Sequence, residues 1–324
     1  MRLNAPNILV LTTKLLLCWA LGSTVAKVPS VSLYHSEFKG VIDHSWDDGS
    51  RNLIVQLKST GFDVHIAVDG QPAGLGSADA MDAYIIPAQN GQVLYSNAED
   101  MEQVAAFVSS GGLVIILDAG LGEGAATCDF VSKALKYQGK WLMCKQSHIT
   151  EPLTRPTLSR WASSFLPDIR GSIPWPRELE VSPATGLSTW CHHEDVHAVT
   201  VPLYVAVADD DRAFLAAQAF SKVGSPGAVV WLGYSWKDGP QPQWGALLKK
   251  LITDFANDAR GSAFSGHPVN PVTSGKYGLK PQATKDIEEV QETVFHRALA
   301  AAAGTSRFDH HPNAKAMMTA VARF

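Results

Sequence analysis

Gly111-Gly112-Leu113-Val114-Ile115-Ile116-Leu117-Asp118-Ala119-Gly120 is the stretch that decides the fold. A continuous apolar run bounded by glycines is what a strand buried on both faces of a parallel sheet requires. Directly upstream, Ser96-Asn97-Ala98-Glu99 reads as a helix-starting capping box. Met101, Val104, Ala105 and Val108 then recur at helical spacing until Gly111-Gly112. Before that helix, Asp82-Ala83-Tyr84-Ile85-Ile86-Pro87 predicts a strand that opens into a loop through Gln89-Asn90-Gly91. Val64 to Val68 and Val31 to Tyr34 predict two earlier strands. Between these two, an Asp/Gly-rich turn, Trp46-Asp47-Asp48-Gly49-Ser50, leads into a helix with Leu53, Ile54 and Leu57 on one face and Gly61 as its C-cap. Strand-helix-strand units in succession imply an α/β protein with a flavodoxin-like, doubly wound parallel sheet.

Downstream the pattern loosens. From about Thr127 to Arg212, prolines and Trp141, Trp161, Trp175 and Trp190 interrupt any period, which predicts an elaborated, loop-rich insertion. Regularity returns with Ala213 to Phe220 and with Ala228-Val229-Val230-Trp231-Leu232-Gly233. A closing helix carries Leu247, Leu248, Leu251, Ile252 and Phe255 on one stripe. The α/β domain is therefore expected over residues 27–257. Residues 258–324 read as a Gly/Pro/Ser-rich linker, a helix from Thr284 to Ala303 and a polar tail, partly disordered.

Of the 324 residues, 46% are hydrophobic, enough for a full core. The formal net charge of -4 and the lack of any Lys/Arg block argue against nucleic acid as a partner. The N-terminus has the parts of a secretory signal: Arg2 and Lys14, an apolar segment from Leu15 to Gly22, and small residues at Thr24-Val25-Ala26. The uncharged run from Leu15 to Ala26 is shorter than the roughly 20 apolar residues that span a bilayer. Residues 1–26 are thus expected to be a cleaved signal peptide, the mature chain to be secreted, and no transmembrane segment to be present. Removing the signal leaves Cys128, Cys144 and Cys191, an odd set in an oxidising compartment. At most one intramolecular disulfide can form. Cys128 to Cys144 is the favoured pair, since they flank a candidate helix from Phe130 to Tyr137; three buried thiols are the alternative.

Three stretches, taken in order, resemble the class I glutamine amidotransferase-like superfamily over roughly residues 30–255: Asp82 to Pro87, Gly111 to Gly120, and Gly227 to Trp236. The resemblance implies that they are the strands leading to the oxyanion loop, to the nucleophile elbow and to the catalytic histidine. Val229 to Trp236 is most similar to non-catalytic, secreted members. An active member needs a Cys thiolate at the elbow, a His base and backbone N–H groups facing the oxyanion. Here Asp118 stands at the elbow, Ser235-Trp236 at the histidine position, and Ala88-Gln89-Asn90 in place of the glycines of the oxyanion loop. Asp118 is a weak catalytic candidate; a carboxylate capping the following helix is the plainer reading.

Ligands of doubly wound sheets bind beyond the carboxyl ends of the strands. That rule groups His35, Asp47, Asp48, Gln89, Asn90, Asp118 and Trp236 as the candidate binding site. His192, His193 and His197, beside Cys191, Glu194 and Asp195, are weak metal-ligand candidates, and a solvated polar loop is the plainer reading. No cofactor is expected. Trp175, Trp190, Trp236 and Trp244 raise glycan stacking, although tryptophan more often packs in a core. The expected function is a secreted, non-enzymatic amidotransferase-like domain binding a small molecule, glycan or protein partner. The alternative is a hydrolase using Asp118 with a histidine from the first loop.

Overall fold

A computed structural model describes residues 27–37, 48–76, 81–88, 97–117, 125–144, 146–147, 154–207 and 212–257. Its backbone follows from the buried runs quoted above. β1 (Ser30–Tyr34), β2 (Asp63–Ala67), β3 (Ala83–Ile86), β4 (Leu113–Leu117) and β12 (Ala228–Leu232) lie side by side in the order β2-β1-β3-β4-β12, all parallel. Counting only these five, the order is the 2-1-3-4-5 of a flavodoxin-like sheet.

Alternation along the strands sends side chains to two separate cores. Val31, Leu33, Ile85, Ile115 and Val230 share one core with α1 (Gly49–Thr60) and α5 (Pro242–Ala256), through Leu53, Leu57, Trp244, Leu248 and Phe255. Tyr84, Ile86, Val114, Ile116 and Trp231 share the other with α2 (Ala98–Ser109) and α3 (Ala125–Leu135), through Val104, Phe107, Phe130 and Val131. Helices on both faces explain why β3, β4 and β12 are buried at every residue. β2, at the edge, is largely exposed.

Two helix ends bear on the sequence reading. Gly61 closes α1 in the left-handed region at φ 95°, as its position predicts. α2 is capped by Asn97, whose side chain accepts the Glu99 N–H at 3.0 Å; Ser96, the first residue of the expected capping box, lies outside the described residues.

The region expected to be loops contains a large share of β-structure. β10 (Ala198–Val207), within that region, forms a long antiparallel pair with β11 (Ala213–Lys222), the regular segment expected after it. β11 also pairs antiparallel with β12, so the sheet continues as β12-β11-β10-β7, with β7 at Thr157–Leu158. β8 (Leu187–Ser188) adds to β11 and pairs with β6 (Gln146–Ser147). β5 (Trp141–Met143) and β9 (His192–His193) make a separate two-stranded ribbon, and α4 (Ala162–Phe165) is a single turn. The prolines that obscured the pattern lie largely in the connections between these short strands.

Candidate functional site

The parallel strands end on one side of the sheet, and there the chain leaves β1, β3, β4 and β12. After β1, the His35 N–H donates to the Ala67 carbonyl at 2.9 Å, holding the exit of β1 against that of β2. Asp48 stands before α1, but its carboxylate pairs with Arg51 at 2.8 Å and forms no side-chain cap to the helix. Asp47, Gln89, Asn90 and Asp118 lie outside the described residues, so the proposed convergence is described only at His35, Asp48 and Trp236.

Trp236 is fully buried. It adopts φ 61°, a left-handed conformation rare for a bulky residue, and its carbonyl accepts the Asn52 side-chain amide at 2.9 Å. Its ring packs on Tyr234 at 4.8 Å and on Trp244 of α5 at 6.2 Å. The Gln241-Pro242 entry of α5 and the turn after β12 are thus closed by an aromatic cluster.

Segment 182–188 lies across this same end of β12. Gly186 N–H donates to the Gly233 carbonyl at 2.6 Å and Ser235 N–H to the Ala184 carbonyl at 3.1 Å, while the Ser235 hydroxyl donates to that same carbonyl. Gly233 is required by this approach, because a Cβ there would run into the Gly186 carbonyl oxygen. The tryptophans raised for glycan stacking are structural: Trp175, Trp190, Trp236 and Trp244 are all buried.

The histidine cluster is built as structure too. His192 and His193 are neighbours in β9, so they face opposite ways, and the helical spacing that would join His193 to His197 does not exist there. His192 packs on Trp190 at 4.6 Å, with Nδ1 3.4 Å from the Thr200 hydroxyl; burial lowers its pKa to about 4. His193 packs between Tyr137 and Trp141, and burial lowers its pKa as well. Asp195 is the polar hub of this corner. It accepts the Gln138 and His197 N–H groups at 2.8 and 2.9 Å and Lys222 Nζ at 3.0 Å. Burial works against its charge, but these donors outweigh burial and lower its pKa.

The expected Cys128–Cys144 bridge is corrected. The disulfide joins Cys144 to Cys191, 47 residues apart in sequence, and Cys128 keeps its thiol in α3. The cause is the β5-β9 ribbon: Trp141 pairs with His193 and Met143 with His192, which brings the residue after β5 beside the residue before β9. Among the described residues, these three cysteines are the one group of His, Cys, Asp and Glu side chains close enough to hold a metal ion, with sulfurs within 4.8 Å of one another. The odd cysteine count was the sequence signal for this cluster. Ser188, Thr189 and Gln218, which surround Cys191, carried no such signal.

No protein-family model matches the chain, and no curated protein matches it in sequence. Solved structures similar to it include the N-terminal domain of mmIFT52, at 12% identity and a TM-score of 0.42, over 71% of this chain and 93% of that one. A putative ThuA-like protein from Bacteroides uniformis is similar at 11% identity and a TM-score of 0.39, over 80% and 99%. A putative GMP synthase component from Thermoplasma acidophilum is similar at 9% identity and a TM-score of 0.36, over 72% and 95%. The strand order and the two-faced core carry the fold assignment by themselves.

Proposed function

We propose that this chain is a secreted, non-enzymatic domain of amidotransferase-like fold, whose crevice beyond β1 and β3 receives a small molecule or a segment of a partner protein. The observation that carries the reading is Trp236. Where the resemblance puts a catalytic histidine, the chain has a fully buried indole locked to Asn52, Tyr234 and Trp244. An imidazole base has no counterpart in that packing, and a general base must come within hydrogen-bond reach of the proton it takes. Binding is assigned to the β1/β3 switch point because the helices that follow β1 and β3 lie on opposite faces of the sheet, and ligands of such sheets bind where the chain order reverses. A glycan is the least favoured ligand, since the four candidate indoles are buried. Export is supported by the signal-like residues 1–26 and by the Cys144–Cys191 disulfide, which an oxidising compartment preserves. No helix among the described residues is long and apolar enough to cross a membrane.

Two measurements test the proposal. Material recovered from the medium of expressing cells is expected to begin at Lys27, and retention of Met1 would remove the export claim. Purified protein and its Asp118→Ala variant are both expected to release no ammonia from glutamine. Turnover abolished by Asp118→Ala would replace the binding reading with the hydrolase.

A further inference from the structure

We infer that Cys128, Cys144 and Cys191 form an intramolecular thiol–disulfide exchange centre, in which the Cys128 thiolate attacks Cys144 and releases Cys191. Three sulfurs lie within 4.8 Å of one another, one as a thiol and two as a disulfide, so the attacking and attacked atoms are already neighbours. They come from three elements that the fold packs together: α3, the end of β5 and the start of β9. The Trp141 indole N–H donates to the Cys128 carbonyl at 3.1 Å, which holds α3 to β5 at this point.

Exchange also needs a leaving sulfur that the site can accept as a thiol. Cys191 is that sulfur. Its Sγ is 3.4 Å from the Ser188 hydroxyl and 3.5 Å from the Thr189 carbonyl oxygen. A disulfide sulfur has no proton to give that carbonyl, whereas a thiol donates to it, and the Ser188 hydroxyl, which donates to the same carbonyl at 2.9 Å, is close enough to turn its proton to a thiolate. The backbone around Cys191 is fixed independently of the bridge. Its N–H and carbonyl are both engaged by the buried Gln218 side chain, at 3.1 and 2.8 Å. Losing the bridge therefore leaves Cys191 in position.

The step balances without an outside reagent. The Cys128 thiol gives up its proton, a Cys128–Cys144 bond forms as the Cys144–Cys191 bond breaks, and the departing Cys191 thiolate takes up a proton. No net oxidation occurs. What changes is which element is tied to β5: β9 in one pairing, α3 in the other. In the second pairing a thiol sits at Cys191, the entrance to β9 and the His193–Asp195 corner.

The experiment follows the pairing directly. Full-length secreted protein is purified at pH 5, shifted to values between pH 6 and 8.5, quenched in acid, then unfolded, alkylated in acid and mapped without reduction. Peptides linking Cys128 to Cys144, with Cys191 alkylated, are expected to appear, their initial rate rising on the order of tenfold per pH unit while the attacking thiol is mostly protonated. Cys128→Ser should hold the single Cys144–Cys191 bridge at every pH. Cys191→Ser should form the Cys128–Cys144 bridge. A wild-type map that shows only Cys144–Cys191, with Cys128 alone alkylated after prolonged incubation at pH 8.5, overturns the proposal even if Cys191→Ser fails to fold. So does a folded Cys191→Ser protein in which Cys128 and Cys144 both remain alkylatable.

Discussion

At the scale of single residues, the chain places groups in settings that fix their protonation. His192 is buried beside Trp190 with a pKa near 4, against 6.5 for an ordinary imidazole, and burial is the cause. Between those two values the unfolded chain binds a proton that the folded chain does not, so stability falls as pH drops from 6.5 toward 4. The slope is about 1.4 kcal/mol per pH unit, on the order of 3 kcal/mol across the window. His192→Gln removes the titrating group and should flatten this part of the curve, which denaturant melts at half-unit pH steps would record. An unchanged slope in the variant would mean that other groups govern acid sensitivity. Asp195 acts lower on the scale. Its depressed pKa adds stability above the usual carboxylate range, which is lost as pH falls through its folded value.

At the scale of elements, α5 is tied to the insertion by a charge inside the core. Lys250 is completely buried, with Nζ 2.8 Å from Asp254 one turn on, 3.1 Å from Asp168, and 5.1 Å above the Trp175 ring. Asp254 also accepts the Ile173 N–H at 3.1 Å, so the Lys250–Asp254 pair within α5 holds segment 168–175 to the helix through Ile173 and Asp168. Asp168 is largely exposed and adds little. Lys250→Ala would leave the Asp254 carboxylate buried without its counter-ion, at a cost of about 3–5 kcal/mol. That corresponds to a Tm drop on the order of 10 °C for a domain of this size. Lys250→Met with Asp254→Asn removes both charges, keeps an acceptor for Ile173, and should recover much of the loss. Calorimetry of the two variants checks this; equal losses would mean that packing of the lysine stem, and not the charge, sets the effect.

At the scale of the whole molecule, the described core closes on itself. Leu247, Leu248, Leu251, Ile252 and Phe255 of α5 complete the core that β1, β3, β4 and β12 begin. Residues 258–324 bring Ile287, Val290, Val294 and Leu299 on a predicted helix, but the linker before it offers few apolar residues to dock. A chain ending at Arg260 is therefore expected to fold, with a Tm within a few degrees of the full-length value, roughly 1 kcal/mol or less. Limited proteolysis of the full chain should cut first between Gly261 and Lys280. Aggregation or a non-cooperative melt after truncation would show that the predicted helix covers an apolar face of the domain.

The α/β class, the parallel strands and α1, α2 and α5 were legible in local periodicity: continuous apolar runs for β3, β4 and β12, buried on both faces, short β-branched and aromatic runs for β1 and β2, and i, i+3, i+4 spacing for helices. The sequence also put Ser235-Trp236 where the resemblance expects a histidine. β10 escaped because its own alternation is broken by Pro202, and its burial comes from pairing with β11, the next strand in the chain, and with the more distant β7. The disulfide was misassigned for a related reason. Closeness in sequence favoured Cys128 with Cys144, whereas the cross-strand register of β5 and β9 brought Cys191 to Cys144. Only the tertiary structure could decide that pairing, since register between two short strands about 50 residues apart depends on the core that both pack against, here Tyr137, Trp141 and Phe220.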